Sequence, residues 1–352
     1  MVLGVDLGGT KVAAGSLHGS ELSAIVVEPT ERSGSATLLE QLVAIVERLR
    51  CGQLDGVGIG VPSVVEFETG RVVASVNLPL ADMPLRRVLE ERLGVPVFVD
   101  NDATAAALAE AHDSELSIVS SNLVMLTVGT GVGGGLILGG RIYRGATGGA
   151  GELGHTLIGA DLVDAVPAPV NFPQPGSLER LAAGHALDRL AARAAADSDS
   201  ALGRRQAAGL PVLGPDVLRC ARAGDAVAAR VIEVWGERLG IGVANAINTF
   251  DPNEVVIGGG AASAGDLLLE PARRTALGYV VPGLGRNTTI RLARHGGKAG
   301  VLGAALLAEH ELQHFRVPRN ARRMSGERAD EPGVRAAETA AGAMSGKRES
   351  SG

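Results

Sequence analysis

Two stretches decide how this chain reads: Val2-Leu3-Gly4-Val5-Asp6-Leu7-Gly8-Gly9-Thr10-Lys11, and Leu123-Val124-Met125-Leu126-Thr127-Val128-Gly129-Thr130-Gly131-Val132-Gly133-Gly134-Gly135. Each is an apolar run that ends in glycines and then resumes, which predicts strand, tight turn, strand. A turn without Cβ atoms lets successive backbone N–H groups converge on an anion and form a nest for phosphate. One such loop is as easily a plain hairpin. Two in one chain, with Asp6, Thr10, Lys11 and Thr130 beside them, predict a nucleotide held between two lobes.

Working outward from these loops, the pattern alternates strand and helix. Lys11 to Leu17 and Ala24 to Val27 continue a meander from the first strand. Thr37 to Arg50 is amphipathic, with Leu38, Leu42, Val46 and Leu49 on one face. Val57 to Val61 and Val95 to Val99 read as buried strands, and Leu85 to Leu93 and Asp102 to His112 as helices. Further on, Leu136 to Leu138 is a strand; Leu178 to Ala195, Asp216 to Ala223 and Ala226 to Phe250 are helical. Val255 to Ile257 is a strand running into Gly258-Gly259-Gly260, and Ala299 to Glu309 closes the pattern as a helix. The fold class is α/β. From Arg316 the sequence turns to Arg, Glu, Ala, Gly, Ser and Pro with no apolar period, which predicts a disordered tail over 316–352.

The 352 residues, 45% of them hydrophobic, suffice for two cores. Aromatics make up only 2%, so those cores must be Ala, Val, Leu and Gly. A net charge of −6 argues against a nucleic-acid binder. The two cysteines, Cys51 and Cys220, suggest a reducing compartment and exclude a cysteine-rich metal site. No apolar run reaches the ~20 residues of a membrane span. The first strand starts at Val2 and leaves no room for a signal peptide, so a cytoplasmic protein is expected.

Residues 129–134 match G-x-G-x-x-G, but a dinucleotide fingerprint needs a helix next, and Leu136 to Tyr143 reads as strand and hairpin turn. No G-x-x-x-x-G-K-[ST] is present either. Asp6 ends a buried strand, where an acid is costly without a cation or donors. It either caps the turn or holds Mg²⁺ through water beside phosphates. In Val99-Asp100-Asn101-Asp102-Ala103, Asp102 is either a helix cap or a base placed where parallel strands end. In Gly148-Gly149-Ala150-Gly151-Glu152-Leu153-Gly154-His155, small residues admit a ligand, while Glu152 and His155 supply an acceptor and a switchable donor. Glu179 reads by itself as a solvated helix face.

In this order the pieces resemble the ROK family of sugar kinases, and within it the bacterial glucokinases. The matching segments are Asp6 to Lys11, Asn77-Leu78-Pro79, Val99 to Ala103, residues 127–135, Gly151 to His155 and Gly258 to Gly260, and the likeness covers roughly residues 1–312. The resemblance implies an actin-like ATPase (ribonuclease H-like) fold. Its smaller lobe is 1–115 plus 298–312, its larger lobe 116–297, and ATP and sugar meet between them. It implies phosphorylation of a hexose, glucose to glucose 6-phosphate above all, with Asp102 as catalytic base. Asn77, Asn101, Asp102, Glu152, His155 and Glu179 become sugar ligands, with Pro62-Ser63 nearby. Asp6, Gly8, Gly9, Thr10 and Lys11 become the first phosphate site, Thr130, Gly131 and Gly133 the second, and Gly258, Gly259 and Gly260 the nucleoside side. The implied partners are ATP, Mg²⁺, a hexose and further copies of the chain in a homodimer or homotetramer.

The family's zinc site is a departure. It uses a His and three Cys, but Val170, Phe172 and Ser177 occupy the cysteine positions here, and none binds Zn²⁺ as a thiolate does. No zinc is expected; Phe172 and the prolines at 169, 173 and 175 are expected to brace His155 instead. Ser63 stands where Gly is common and Thr104 where Asn is common, and both bear on sugar choice. N-acetylmannosamine, N-acetylglucosamine, fructose or allose as acceptor, and polyphosphate as donor, remain alternatives. A sugar-sensing regulator is the remote one, because ROK repressors carry an N-terminal winged helix-turn-helix and this sequence opens on the phosphate loop.

Overall fold

The computed structural model describes residues 1–75, 77–160, 169–196 and 199–316. The tail expected over 316–352 lies, beyond Arg316, outside the described residues. Met1 to Leu312 forms one compact unit.

The opening apolar run is β1 (Val2–Leu7), which turns through the first glycine loop into β2 (Lys11–His18). Two short strands, β3 (Glu21–Leu22) and β4 (Val26–Pro29), both pair antiparallel with β2. Next comes α1 (Ser35–Leu49), which buries Leu38, Leu42, Ile45 and Val46 at helical spacing. It leads to β5 (Gly56–Val61), a hairpin of β6 (Val64–Glu66) and β7 (Arg71–Ala74), α2 (Leu85–Leu93), β8 (Val97–Asn101) and α3 (Asp102–Glu110). The first sheet runs β3-β2-β1-β5-β8, with β1, β5 and β8 parallel.

The second half repeats the plan with β9 (Leu123–Val128), β10 (Val132–Leu138) and β11 (Arg141–Ile142). Five helices follow: α4 (Leu178–Ala182), α5 (Gly184–Ala195), α6 (Ala201–Ala207), α7 (Gly214–Arg222) and α8 (Ala226–Phe250). The chain ends in β12 (Glu254–Gly258), α9 (Asp266–Tyr279), β13 (Thr289–Leu292) and α10 (Ala299–Arg316). The second sheet runs β11-β10-β9-β12-β13, with β9, β12 and β13 parallel.

Several boundaries depart from expectation for identifiable reasons. The meander strand expected at Ala24 to Val27 lies two residues on, as β4. Leu178 to Ala195 is two helices rather than one, because Ala183 is extended (φ −70°, ψ 172°) and the Gly184 N–H donates to Gly129 O at 2.8 Å. A loop contact thus wins over helix continuity. β10 starts at Val132 rather than Leu136, since Gly133 to Gly135 pair with Thr127 to Met125. The closing helix runs on to Arg316. Strands β6, β7, β11 and β13 and helix α6 are too short or too weakly patterned to have been expected.

One buried cluster joins the two sheets: Val2, Leu17 and Phe98 from the first, Leu123, Met125 and Val256 from the second, with Leu108 of α3 and Leu302 and Leu306 of α10. Small residues make that junction close. A Cβ at Gly58 would lie 1.7 Å from Ala304 O, and one at Gly303 would lie 1.8 Å from Ala105 O. The backbone of α10 therefore rests directly on β5 and on α3.

Candidate functional site

The register of the parallel strands brings the acidic residues together. Asp6 lies opposite Gly60, and Gly60 opposite Asp100. At the end of β8, Asn101 Oδ1 accepts from Ala103 N (2.9 Å) and Thr104 N (3.1 Å), capping α3. The expectation that Asp102 could be that cap is therefore answered by its neighbour. Asp102 accepts one bond of its own, from Ala103 N at 2.8 Å. Its carboxyl is pushed above the usual range by burial, and the charge of Glu152 adds to this. Gly60 makes room for it: a Cβ there would stand 3.3 Å from Asp102 Cα.

Asp6, half-buried, is pushed up to about 6, first by desolvation and then by the charge of Asp102, with Lys11 opposing. A Cβ at Gly300 would stand 2.4 Å from Asp6 Oδ2, so the carboxylate lies over the first turn of α10. Among the described residues neither Asp6 nor Asp102 is held in an ion pair. A buried oxygen donor facing a space that no Cβ fills suits a hard cation such as Mg²⁺ with its water shell.

Both glycine loops are braced from behind. In the first, Gly8 N donates to Lys11 O (2.9 Å), while Thr30 donates through Oγ1 to Gly8 O (2.7 Å) and through its N–H to Thr10 O (3.1 Å). Gly9 packs on Asn77, and Thr10 and Lys11 are exposed. In the second, Gly129 N donates to Gly131 O (2.9 Å) and Val132 N donates to Glu179 Oε2 (2.8 Å). Thr130 is exposed. Gly133 lies against Thr127 and Ala103. Gly259, at φ 73° between Gly258 and Gly260, abuts Val128 O, so the third glycine run adjoins the second loop.

A recess opens beside these loops, lined by Ser63, Asn101, Gly133, Gly148 and Glu152 among others. Its carboxylate, amide, hydroxyl and backbone groups suit a polyol. Of the residues expected to meet sugar, the structure brings Asn101 and Glu152 to this recess, with Ser63. His155 is one step behind, its Nε2 3.7 Å from Glu152 Oε2. Asn77 sits at the first glycine loop and Glu179 at the second.

The zinc positions do not fit that metal. His155 Nδ1 is buried with no hydrogen-bond partner among the described residues, and Phe172 meets the ring edge-on with centroids 5.0 Å apart. The segment is closed by other means: Ile158 N and Gly159 N donate to Gly176 O, and the Gln174 side chain bonds the Val170 backbone at both its N–H and its carbonyl. Cys51 and Cys220 are both free. No helix among the described residues is long and apolar enough to cross a membrane.

Two buried elements escaped the sequence reading. Gly60 hid in the alternating glycines of Gly56 to Gly60. Arg144, which pairs with Asp100 at 2.7 Å, stands in a loop with no local signal.

Comparison with known proteins places this arrangement. Two α/β halves with glycine loops at their strand ends define an actin-like ATPase fold, which ROK kinases of solved structure similar to this chain share. Residues 2–311 match the model of the ROK family, and the chain belongs to it. A glucokinase of Halalkalibacterium halodurans is 33% identical over 322 residues, covering 88% of this chain and 95% of that one. The ROK hexokinase of Thermus thermophilus is 37% identical with a TM-score of 0.68, over 89% of this chain and 99% of the other. The ROK glucokinase of Streptomyces griseus, solved with glucose and AMPPNP, is 30% identical with a TM-score of 0.72, over 88% and 99%. Other relatives carry different names: an N-acetyl-D-glucosamine kinase of Aliivibrio fischeri is 31% identical, and a putative xylose repressor of Caldicellulosiruptor is 34% identical.

Proposed function

We propose that this chain transfers the γ-phosphoryl group of ATP to a hexose hydroxyl, with glucose the preferred acceptor and glucose 6-phosphate the product. The observation that carries the reading is Asp102: a half-buried carboxylate outside any ion pair among the described residues, beside a polyol-suited recess, and close enough to Asp6 for its charge to raise the Asp6 pKa. A sugar hydroxyl is a poor nucleophile at neutral pH. Asp102 accepts its proton as the oxygen attacks phosphorus, and a raised pKa makes the carboxylate a better base. Asn101 and Glu152 orient the sugar, and His155 steadies Glu152 from behind.

N–H groups of Gly9, Thr10, Thr130 and Gly131 face the phosphates, with Gly8 and Gly133 lining the loops and Gly258 to Gly260 toward the nucleoside. Thr10, Lys11 and Thr130 add exposed donors. Asp6 would hold Mg²⁺ through water, and the ion would neutralise charge on the phosphate oxygens when bound. Phosphoryl transfer needs chiefly such positioning and charge stabilisation. The halves 1–115 plus 298–312 and 116–297 close on sugar and exclude water as competing acceptor. A cytoplasmic homodimer or homotetramer is the setting we propose.

An ADP-release assay with ATP across glucose, N-acetylglucosamine, N-acetylmannosamine, fructose and allose, and a sugar-phosphate assay with polyphosphate as donor, test this. Fastest turnover on glucose with ATP is expected. Turnover on another sugar corrects the acceptor; glucose binding without ADP release favours a sugar sensor and overturns the kinase reading.

A further inference from the structure

Three walls of the recess come from segments far apart in the chain, and Arg144 is linked to each: through Asp100, through Phe67 and by its own backbone. The first wall is Asn101 at the end of β8. Its neighbour Asp100 is almost wholly buried, accepts the Asn101 N–H at Oδ1 (2.8 Å), and receives Arg144 Nε at Oδ2 (2.7 Å). The second is the loop from Arg144 itself to Glu152. It is closed by Ala150 N donating to Arg144 O (3.1 Å), which presents Gly148, Gly149 and Ala150 to the recess. The third is Ser63 and Val64 at the start of the β6–β7 hairpin. Phe67, which follows β6, lies under the guanidinium, with Arg144 Cζ 3.4 Å from the ring centroid. Arg144 Nη2 also reaches Glu311 of α10 at 3.3 Å.

This is an expensive arrangement to have by chance. A buried carboxylate needs a cation, and the fork of an arginine can satisfy several acceptors in fixed directions. Stacking on an aromatic face holds the guanidinium plane as well. Asp100 is not a recess-lining group, and neither is Arg144; both act through what they hold.

We propose that Arg144 is the positioning residue of the sugar recess. Through Asp100, Phe67 and its own loop it sets the spacing between the Asn101–Asp102 turn, the Ser63 turn and the Gly148–Glu152 loop, and so the distance from the acceptor hydroxyl to Asp102. The inference rests on the kinase reading for its kinetic consequence, and on the contacts above for its structural one.

The test uses Arg144→Met, which keeps much of the stem, with Arg144→Lys, Asp100→Asn and the Met/Asn double variant. For Arg144→Met we expect the sugar KM to rise about tenfold or more while the ATP KM stays within about twofold, a split that a general loss of folded protein does not produce. Lys should restore part of the loss. The double variant should be no worse than Arg144→Met, since both changes remove one interaction. Hydrogen–deuterium exchange on the same proteins, without ligand, should rise in 98–106, 62–68 and 144–152 together. If Arg144→Met does not fold, Arg144→Lys and Asp100→Asn carry the same comparison. Unchanged sugar KM with lowered thermal stability, or faster exchange in 144–152 alone, overturns the proposal. Should the wild-type protein phosphorylate none of the sugars, the kinase reading fails and the exchange pattern still decides whether Arg144 holds the three walls.

Discussion

Helix α3 carries a carboxylate at each end, and the two are treated in opposite ways. Glu110, at the C-terminal end, is fully buried and saturated: Oε2 meets Arg291 Nη1 (2.7 Å) and Arg294 N (2.9 Å), and Oε1 meets His295 N (2.9 Å). Arg291 also bridges to Glu254 at 2.7 Å, tying α3 to β12 and β13. Asp102, at the N-terminal end, has one backbone donor. The fold can build a cage for a buried acid and does so at one end only. The saturated acid is a fastener; the unsaturated one has lone pairs left, which the proposed reading gives to the acceptor hydroxyl.

Four experiments would break or sharpen this contrast. The largest effect is expected at the fastener. Glu110→Ala leaves the Arg294 and His295 N–H groups without their acceptor and Arg291 with Glu254 alone as carboxylate partner, and should lower stability by about 3–5 kcal/mol, read by denaturant unfolding, with turnover per folded molecule little changed. A variant that stays stable but turns over slowly would reverse the roles of the two ends.

Next comes Asp6. The native state keeps its proton up to about pH 6, whereas the unfolded chain loses it near 3.8. The folded form therefore binds more protons between those values, and stability falls as pH rises through that window, then levels off. Two units correspond to roughly 3 kcal/mol. Asp6→Asn is relieved of this cost, so it should match wild type near pH 4, exceed it in melting temperature at pH 7, and lose kinase activity. Parallel curves from pH 4 to 7 would remove the burial argument.

Asp102→Asn should keep sugar affinity within a few-fold and cut turnover by ~10² or more, about 2.7 kcal/mol of barrier. Near-normal turnover takes the base role away. The smallest effect is at Phe172. Phe172→Ala should cost about 1 kcal/mol of aromatic contact and loosen His155, seen as a modest rise in sugar KM. Stoichiometric zinc in chelator-washed protein would sink the idea that this ring stands in for a metal.

How much of this was legible depends on how far apart the partners lie. The glycine loops and Val99 to Ala103 announce themselves because turn chemistry and strand ends are local properties, written in adjacent residues. The α/β alternation was equally plain. The cage around Glu110 was not, since Arg291 is 181 positions away and an arginine in a short strand looks like any surface charge. Arg144 is hidden for the same reason, 44 positions from Asp100 and 167 from Glu311. The break at Ala183 also had no signal of its own, because its cause is a carbonyl in the second glycine loop. Glu179 was expected at the sugar through family likeness; its bond to Val132 N at the second glycine loop is a contact no periodicity encodes.

The contact of α10 with β5 and α3 has one more implication. Where main chain rests on main chain, no side chain can shrink, swell or rotate to change the gap. The height of the helix under Asp6 is then set by van der Waals contact of backbone on backbone. On the proposed reading, mutation reaches the sugar side through Ser63, Thr104 or the 144–152 loop, while the triphosphate end of the molecule keeps its dimensions.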